Sequence, residues 1–428
     1  MANLLMIESW LQSTGLMLPP LLHDAGHRYV LITRDPGLYE LPDETEHPVL
    51  ALAAEVVVAE TNDDAALLAA AREIAARERA AGRPVDGVLT TCDYYLPAVA
   101  HVAERLGLPG APAHVLRTAT RKHLVRAALA AGGVPDVPFA VASTWDQARK
   151  EAAGLGYPLV VKPVDMNSGT GVRKVTDEAG LALAFAEVTG PERNTRDQPL
   201  ERLALLERVL DGPEYSVESV TRDGVTRVLG ITAKSVAEPG VEGGSGFVES
   251  GHLFPAPLAA AERDAIERHV AAVLSAVGLT HGISHTEVRL TASGPRLIEL
   301  NPRQGGGYIF ELVRLVTGYN PLRVLVDLAL GREPVPGPAV ATSAAVTFLL
   351  APADGVVREV RGAERLADDA RVLGHETPSP GREVRPGDNN ERIGHVLVAD
   401  PSGHAAKDWA DELVAGLDVR IDAHALAR

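Results

Sequence analysis

With 428 residues, one cysteine and 46% hydrophobic content, the chain has room for roughly two or three domains, and an intramolecular disulfide or multi-cysteine zinc site is excluded. The 41 Lys+Arg against 57 Asp+Glu leave a net charge of -16, which opposes attraction to phosphate backbones, so no nucleic-acid partner is expected. No apolar run approaches the roughly 18 to 20 uncharged residues of a membrane span, and the first residues lack the basic flank of a signal peptide, so a cytoplasmic protein without a membrane partner is expected.

Residues 4–7, 29–33, 56–59 and 88–91 read as short strands, with Ala-rich helical stretches at 63–81 and 95–106. That alternation predicts a parallel α/β domain over 1–115, with Cys92 a half-buried core thiol. Its first strand runs into Glu8-Ser9-Trp10 and the first glycine is Gly15, so the G-x-G-x-x-G turn of dinucleotide-binding domains is missing. A Pro/Gly-rich passage at 108–112 marks a boundary, and a basic helix from near Thr118 to Gly132-Gly133 opens a second unit over 116–331. Within it a lid subdomain is expected at about 135–215, holding a strand at 159–162, a glycine-rich loop, a helix at 178–187 and a polar stretch at 190–198 that reads as a mobile insertion. Strands at 215–221 and 228–233 follow. Residues 332–338 read as a linker, and 332–428 as a small α+β domain closing with a helix near 407–417.

Residues 282–303 carry the densest pattern, two alternating strands around a short turn. With Ala292-Ser293-Gly294 as a three-residue loop and Gly294 left-handed, Glu287 lies opposite Glu299 and His285 opposite Asn301, all on one face. Carboxylates so opposed sit about 4.5 to 5.5 Å apart and repel unless one is protonated or a cation lies between them. Magnesium would resolve the conflict, since carboxylates and an amide oxygen suit a hard cation; an exposed face with two solvated glutamates is the plain alternative. The opposite face, Thr286, Val288, Leu290, Ile298 and Leu300, is apolar enough to pack on a core.

Only six of the 41 cations are lysines, which makes their positions worth inspecting. One strand delivers Lys162 to a loop of Asn167, Ser168, Gly169, Thr170 and Gly171. Small residues let backbone N–H groups turn toward an anion and the lysine adds a compact charge, as phosphate binding needs. A glycine-rich turn after an edge strand is the alternative, and the Walker A order is missing.

In combination these motifs resemble the ATP-grasp superfamily of carboxylate ligases. The likeness is carried, in order, by the Lys122 helix, Val161-Lys162-Pro163, Ser168-Gly169-Thr170-Gly171, residues 207–218, Glu287 and Glu299-Leu300-Asn301-Pro302-Arg303. It implies an α/β protein of ATP-grasp fold with an N-terminal parallel α/β (pre-ATP-grasp) domain and a small C-terminal α+β domain. It further implies that Lys122 and Lys162 reach the nucleotide phosphates beneath the glycine-rich loop. Backbone around Arg208 and Val209 would meet the adenine, Glu214 the ribose and Glu207 the adenine amino group. Glu287, Glu299 and Asn301 match magnesium positions, and Lys234 either contacts a phosphate or snorkels from its strand. ATP and Mg2+ are the implied cofactors, with Mn2+ able to substitute.

Within the superfamily the chain is similar to the L-amino-acid ligases, which join two amino acids through an acyl phosphate. Residues 285–290, Asn301-Pro302-Arg303 with Gly305-Gly306-Gly307, and residues 247–255 carry this. The likeness implies an amino-acid site lined by Glu249, His252 and Arg303, which would act in catalysis as well as binding. Arg303 suits a bidentate contact with a carboxylate or acyl phosphate, and Gly305, Gly306 and Gly307 would expose N–H groups beside the same anion. Glu249 suits a substrate ammonium, and His252 would orient it or take a proton from the attacking amine. The implied activity is ATP-dependent carboxylate–amine ligation giving an amide, expected to be a dipeptide, with ADP and phosphate. The partners would be small-molecule carboxylates and amines, expected to be amino acids, and a homodimer is common among relatives. The rivals are a biotin-carboxylase-like or purine-pathway ligase on the same scaffold, whose usual Asn-Arg-Gly-Glu-type loop is not matched by Met6-Ile7-Glu8-Ser9-Trp10, and a non-catalytic nucleotide-binding protein. The unusually glycine-rich loop 237–246 leaves substrate identity open.

Overall fold

The apolar strand Asn3–Ile7 is buried along its whole length, as a strand covered on both faces must be. In the computed structural model, which describes residues 1–41, 45–237, 247–387 and 389–423, it pairs in parallel with Arg28–Thr33 and Gly87–Leu89. Glu55–Val58 completes the parallel sheet predicted for this region. Alternation sends Leu4 and Met6 against helix Thr14–Asp24, and Leu5 and Ile7 against helices Asp64–Ala80 and Leu96–Leu106. Cys92 is wholly buried rather than half-buried, and burial pushes its thiol up to about 12.

The basic helix expected from Thr118 is two helices, Ala113–Ala119 and Lys122–Ala131, parted by an extended Arg121. Lys122 therefore starts a helix. Its otherwise orphaned N–H donates to the Val164 carbonyl at 2.9 Å, docking the helix start beside the end of strand Leu159–Pro163. That strand belongs to an antiparallel sheet ordered Phe139–Ala142, Ala204–Arg208, Leu159–Pro163, Arg173–Val175. Helices Trp145–Leu155 and Glu178–Thr189 cover it.

An eight-stranded sheet forms the opposite layer, in the order Gly294–Asn301, Gly282–Thr291, Glu214–Arg222, Val225–Val236, Glu249–Phe254, Ser343–Leu349, Gly394–Asp400, Val372–Glu376. Its last three strands come from beyond the 332–338 linker, so C-terminal residues lie in one sheet with residues 214–301. Glu383–Val384, Gly355–Arg361 and Asp418–Ala423 add a small three-stranded sheet.

The hairpin that dominates the sequence pairs Glu287 with Glu299 and His285 with Asn301, as expected, but by a different route. Thr291 pairs with Gly294, so the loop holds two residues, and a β-bulge restores the phase by skipping Ile298 between the Val288–Leu297 and Glu287–Glu299 pairs. Leu297 consequently enters the core where Ile298 was expected, while Ile298 lines the cavity described below.

The polar stretch 190–198 is not the loose insertion its composition suggests. Arg196 is 3% exposed, donates to the Ser9 carbonyl at 2.5 Å and lies over the Trp10 ring at 5.4 Å. Asn62 donates to the Arg196 carbonyl at 3.0 Å and Arg34 pairs with Asp197 at 3.2 Å. Polar composition misleads because these groups find their partners in the loops that follow the strands of the N-terminal sheet. Of the glycine-rich loop 237–246, all but Ala237 lies outside the described residues. No helix among the described residues is long and apolar enough to cross a membrane.

Candidate active site

A cavity of about 360 Å³ is lined by both antiparallel sheets, the glycine-rich loop and residues 389–392. Lys122, Lys162, Ser168, Gly169, Thr170, Glu207, Arg208, Val209 and Glu214 line it. Glu249, Glu287, Glu299, Asn301, Arg303, Gly306 and Gly307 line it as well. Four predicted residues are not on its wall. Gly171 backs onto Pro163, Lys234 and His252 are sealed beneath, and Gly305 lies against His285.

Lys122 reaches the Glu299 carboxylate at 2.9 Å and the Met166 carbonyl at 2.5 Å. Lys162, 4% exposed, pairs with Glu207 at 2.7 Å and donates to the Ile298 carbonyl at 3.2 Å. Arg126 joins them, donating to Glu207 at 2.7 Å and to the same Ile298 carbonyl at 2.9 Å. The bulge thus turns one carbonyl toward two cations. Both carboxylate oxygens of Glu207 thus have cationic partners. Burial alone would raise its carboxyl, but Arg126 and Lys162 hold it low. Lys162 shares its counter-ion, so burial, with Arg126 adding to it, lowers its ammonium. The loop above adopts left-handed turns at Ser168, Gly169 and Gly171.

Lys234 sits in a carboxylate cage, 2.9 Å from Glu214, 2.8 Å from Glu249 and 3.0 Å from Glu287. Burial would lower its ammonium, yet three carboxylates hold it well above the ordinary range. This replaces the snorkelling alternative, since its side chain is 1% exposed. His285 bridges Glu218 at 2.7 Å and Glu287 at 3.0 Å, and despite burial these raise it to about 9. Against its own burial, Glu287 is lowered to about 2 by Lys234 and His285. The opposed glutamates are therefore drawn to different cations, Glu287 to Lys234 and His285, Glu299 to Lys122. Glu287, Glu299 and Asn301 still present oxygen donors on one cavity wall, a set that fits a hard divalent cation. Among the described residues, Glu214, Glu249 and Glu287 also bring carboxylate oxygens within 4.8 Å of one another, but the Lys234 ammonium already contacts all three.

Arg303 pairs with Asp93 of the N-terminal region at 2.6 Å, and Asn167 of the glycine-rich loop donates to the same carboxylate at 3.0 Å. Glu249 contacts His252 at 2.9 Å and Arg392 at 2.7 Å; burial opposes its ionisation, and Lys234, His252 and Arg392 hold it well below the usual carboxylate range. Nδ1 of His252 faces the Gly307 carbonyl at 2.8 Å, so both ring nitrogens already meet oxygens and an orienting role suits the ring better than proton acceptance. Gly305 and Gly307 serve close packing, whereas a Cβ at Gly306 would meet open space. A Cβ at 305 would stand 2.9 Å from His285, and one at 307 would stand 2.7 Å from His252.

Arg126, Asp93, Arg289 and Arg392 went unread in the sequence. Arg126 lies one turn after Lys122 on the same helical face, a findable signal. Asp93 follows the C-terminal end of a parallel strand, where open α/β sheets place ligand sites. Arg289 was visible only as part of a strand pattern, and nothing local marks Arg392.

Three family models match the chain: an ATP-grasp domain over residues 155–311, an ATP-grasp N-terminal domain over 23–110, and L-amino acid ligase C-terminal domain 2 over 347–422. The chain belongs to the ATP-grasp superfamily. Its ATP-grasp fold is shared with an L-amino acid ligase from Bacillus licheniformis, at 24% identity and a TM-score of 0.76 over 98% of this chain and 99% of that one. Carnosine synthase 1 of Gallus gallus is 30% identical over 60% of this chain and 28% of its own length. The alanine–anticapsin ligase of Bacillus subtilis (strain 168) is 26% identical over 58% of this chain and 55% of that protein, so this ATP-grasp chain spans about a quarter to half of these two relatives.

Proposed function

We propose that the protein is an ATP-dependent carboxylate–amine ligase that joins amino-acid substrates into a dipeptide through an acyl phosphate. The carrying observation is that Lys122, Lys162, Glu287, Glu299, Asn301 and Arg303 converge on one cavity. In this reading a substrate carboxylate oxygen attacks the γ-phosphorus of ATP and ADP leaves. The amine then attacks the acyl carbon, phosphate departs and the amine gives up a proton. Lys122 and Lys162 bind the nucleotide phosphates, backbone at Arg208 and Val209 meets the adenine, and Glu214 faces the ribose. Glu287, Glu299 and Asn301 would hold Mg2+, which when bound supplies charge neutralisation between the phosphates. Arg303 orients the reacting carboxylate, and the loop of Ser168 to Gly171 covers the site and excludes water that would hydrolyse the acyl phosphate. Glu249, with His252 behind it, receives a substrate amino group. We take residues 1–115, 116–331 and 332–428 as the three units and place the protein in the cytoplasm.

Phosphate release from Mg-ATP across single and paired L-amino acids, with mass spectrometry of products, tests this. The expected result is release that requires a pair and yields a dehydrated adduct, falling at least about 100-fold in Glu299→Ala. ATP binding without release in any pool would favour a non-catalytic protein, and release dependent on bicarbonate would favour a carboxylase.

A further inference from the structure

Joining two amino acids consumes one carboxylate and leaves the other, on the amine partner, charged throughout. Taking that anion out of water requires a matched cation, best a guanidinium with free donors. Six Lys and Arg side chains line the cavity, and four are engaged around its nucleotide side or at its base. Lys122 is held by Glu299, Lys162 by Glu207, Arg289 by Glu214 and the Leu210 carbonyl, and Arg303 by Asp93 and the Gln304 carbonyl. Arg208 is the exposed last residue of its strand.

Arg392 differs. Its Nε donates to the Glu249 carbonyl at 3.1 Å, and Nη2 to the Glu249 carboxylate at 2.7 Å and to Asn389 at 2.9 Å. Its guanidinium lies 3.8 Å over the Phe348 ring, so the fork is held rigidly. The remaining nitrogen, Nη1, donates to none of the described residues and lies 3.3 Å from where a Cβ at Gly307 would stand. Glycine at 307 keeps that approach open.

Resting on the ligase reading, we infer that Arg392 binds the free carboxylate of the amine substrate and so restricts the amine to α-amino acids. The amino and carboxylate groups of an α-amino acid are two bonds apart, and Glu249 and Arg392 are immediate neighbours of opposite charge. A carboxylate on Nη1 sets the amino group beside Glu249, which His252 holds from behind. An amine without a carboxylate leaves Nη1 without the anion it is positioned to bind, and is discriminated against.

The test compares wild type with Arg392→Met and Arg392→Lys. Each is supplied with Mg-ATP, the acid substrate that the phosphate-release screen identifies, and as amine the paired L-amino acid, its carboxamide, or hydroxylamine, which traps the acyl phosphate as a hydroxamate. Wild type is expected to prefer the amino acid over its carboxamide by about 100-fold or more, and Arg392→Met to lose most of that preference. KM for the amine-side amino acid is expected to rise about 10- to 100-fold, and the ratio of peptide to hydroxamate formation to fall by the same factor. Arg392→Lys, which keeps the charge without the fork, is expected to fall between, and guards against a misfolded Met variant. An unchanged carboxamide preference, or peptide and hydroxamate formation falling together, would overturn the inference while leaving the ligase reading intact. Wild type that forms no hydroxamate with any amino acid would overturn both.

Discussion

Lys234 stands in a strand with nothing local to mark it, yet its single ammonium bridges three carboxylates, which Arg289, Arg392 and His285 help to balance. Replacing it by methionine strands Glu214, Glu249 and Glu287 without their shared cation, and breaking a buried ion pair from one side costs about 3–5 kcal/mol. Urea denaturation of Lys234→Met at neutral pH is expected to show a loss of that order, partly recovered on acidification as the carboxylates take up protons. His285 sets the opposite limb of the pH profile. Its folded value is raised from 6.5 to about 9, so its contribution is complete below 6.5 and is lost as pH climbs through 9. Glu287, lowered from 4.5 to about 2, contributes above its ordinary value and loses that only toward strong acid. Denaturation without divalent cations should therefore show stability falling between pH 6.5 and 9, and His285→Gln should flatten that limb.

At the level of elements, period-2 alternation places His285, Glu287, Glu299 and Asn301 on one face, and the strand pairing agrees. The turn is one residue shorter than the alternation predicts, and the bulge at Ile298 offsets the difference at the pairs that matter. The two-residue turn leaves the alternation of each strand untouched, so the pattern of apolar residues alone could not reveal it. The stretch 190–198 shows the converse. Its polar residues look solvated, yet Arg196 inserts between Ser9, Trp10 and Tyr39 of the N-terminal region. Arg196→Ala is expected to cost about 1–3 kcal/mol, as loss of a charged hydrogen-bonding group does. Limited proteolysis should then cut within 190–202 faster than in wild type; equal rates would mean the stretch is held by other contacts.

Across the whole molecule the site is assembled from three parts of the chain, with Asp93 holding Arg303 and Arg392 holding Glu249. The sequence alone determined the parallel α/β start, the order of the lysine, glycine-loop and carboxylate motifs, and the face each carboxylate occupies. Those properties follow from short-range rules, since strand alternation and turn chemistry act over a few residues. Only the tertiary structure decided which charge neutralises which. Asp93 and Arg303 lie 210 residues apart, and Glu249 and Arg392 lie 143 apart. A buried charge must find a counter-ion in space, and neither spacing nor composition records which distant segment the fold brings beside it.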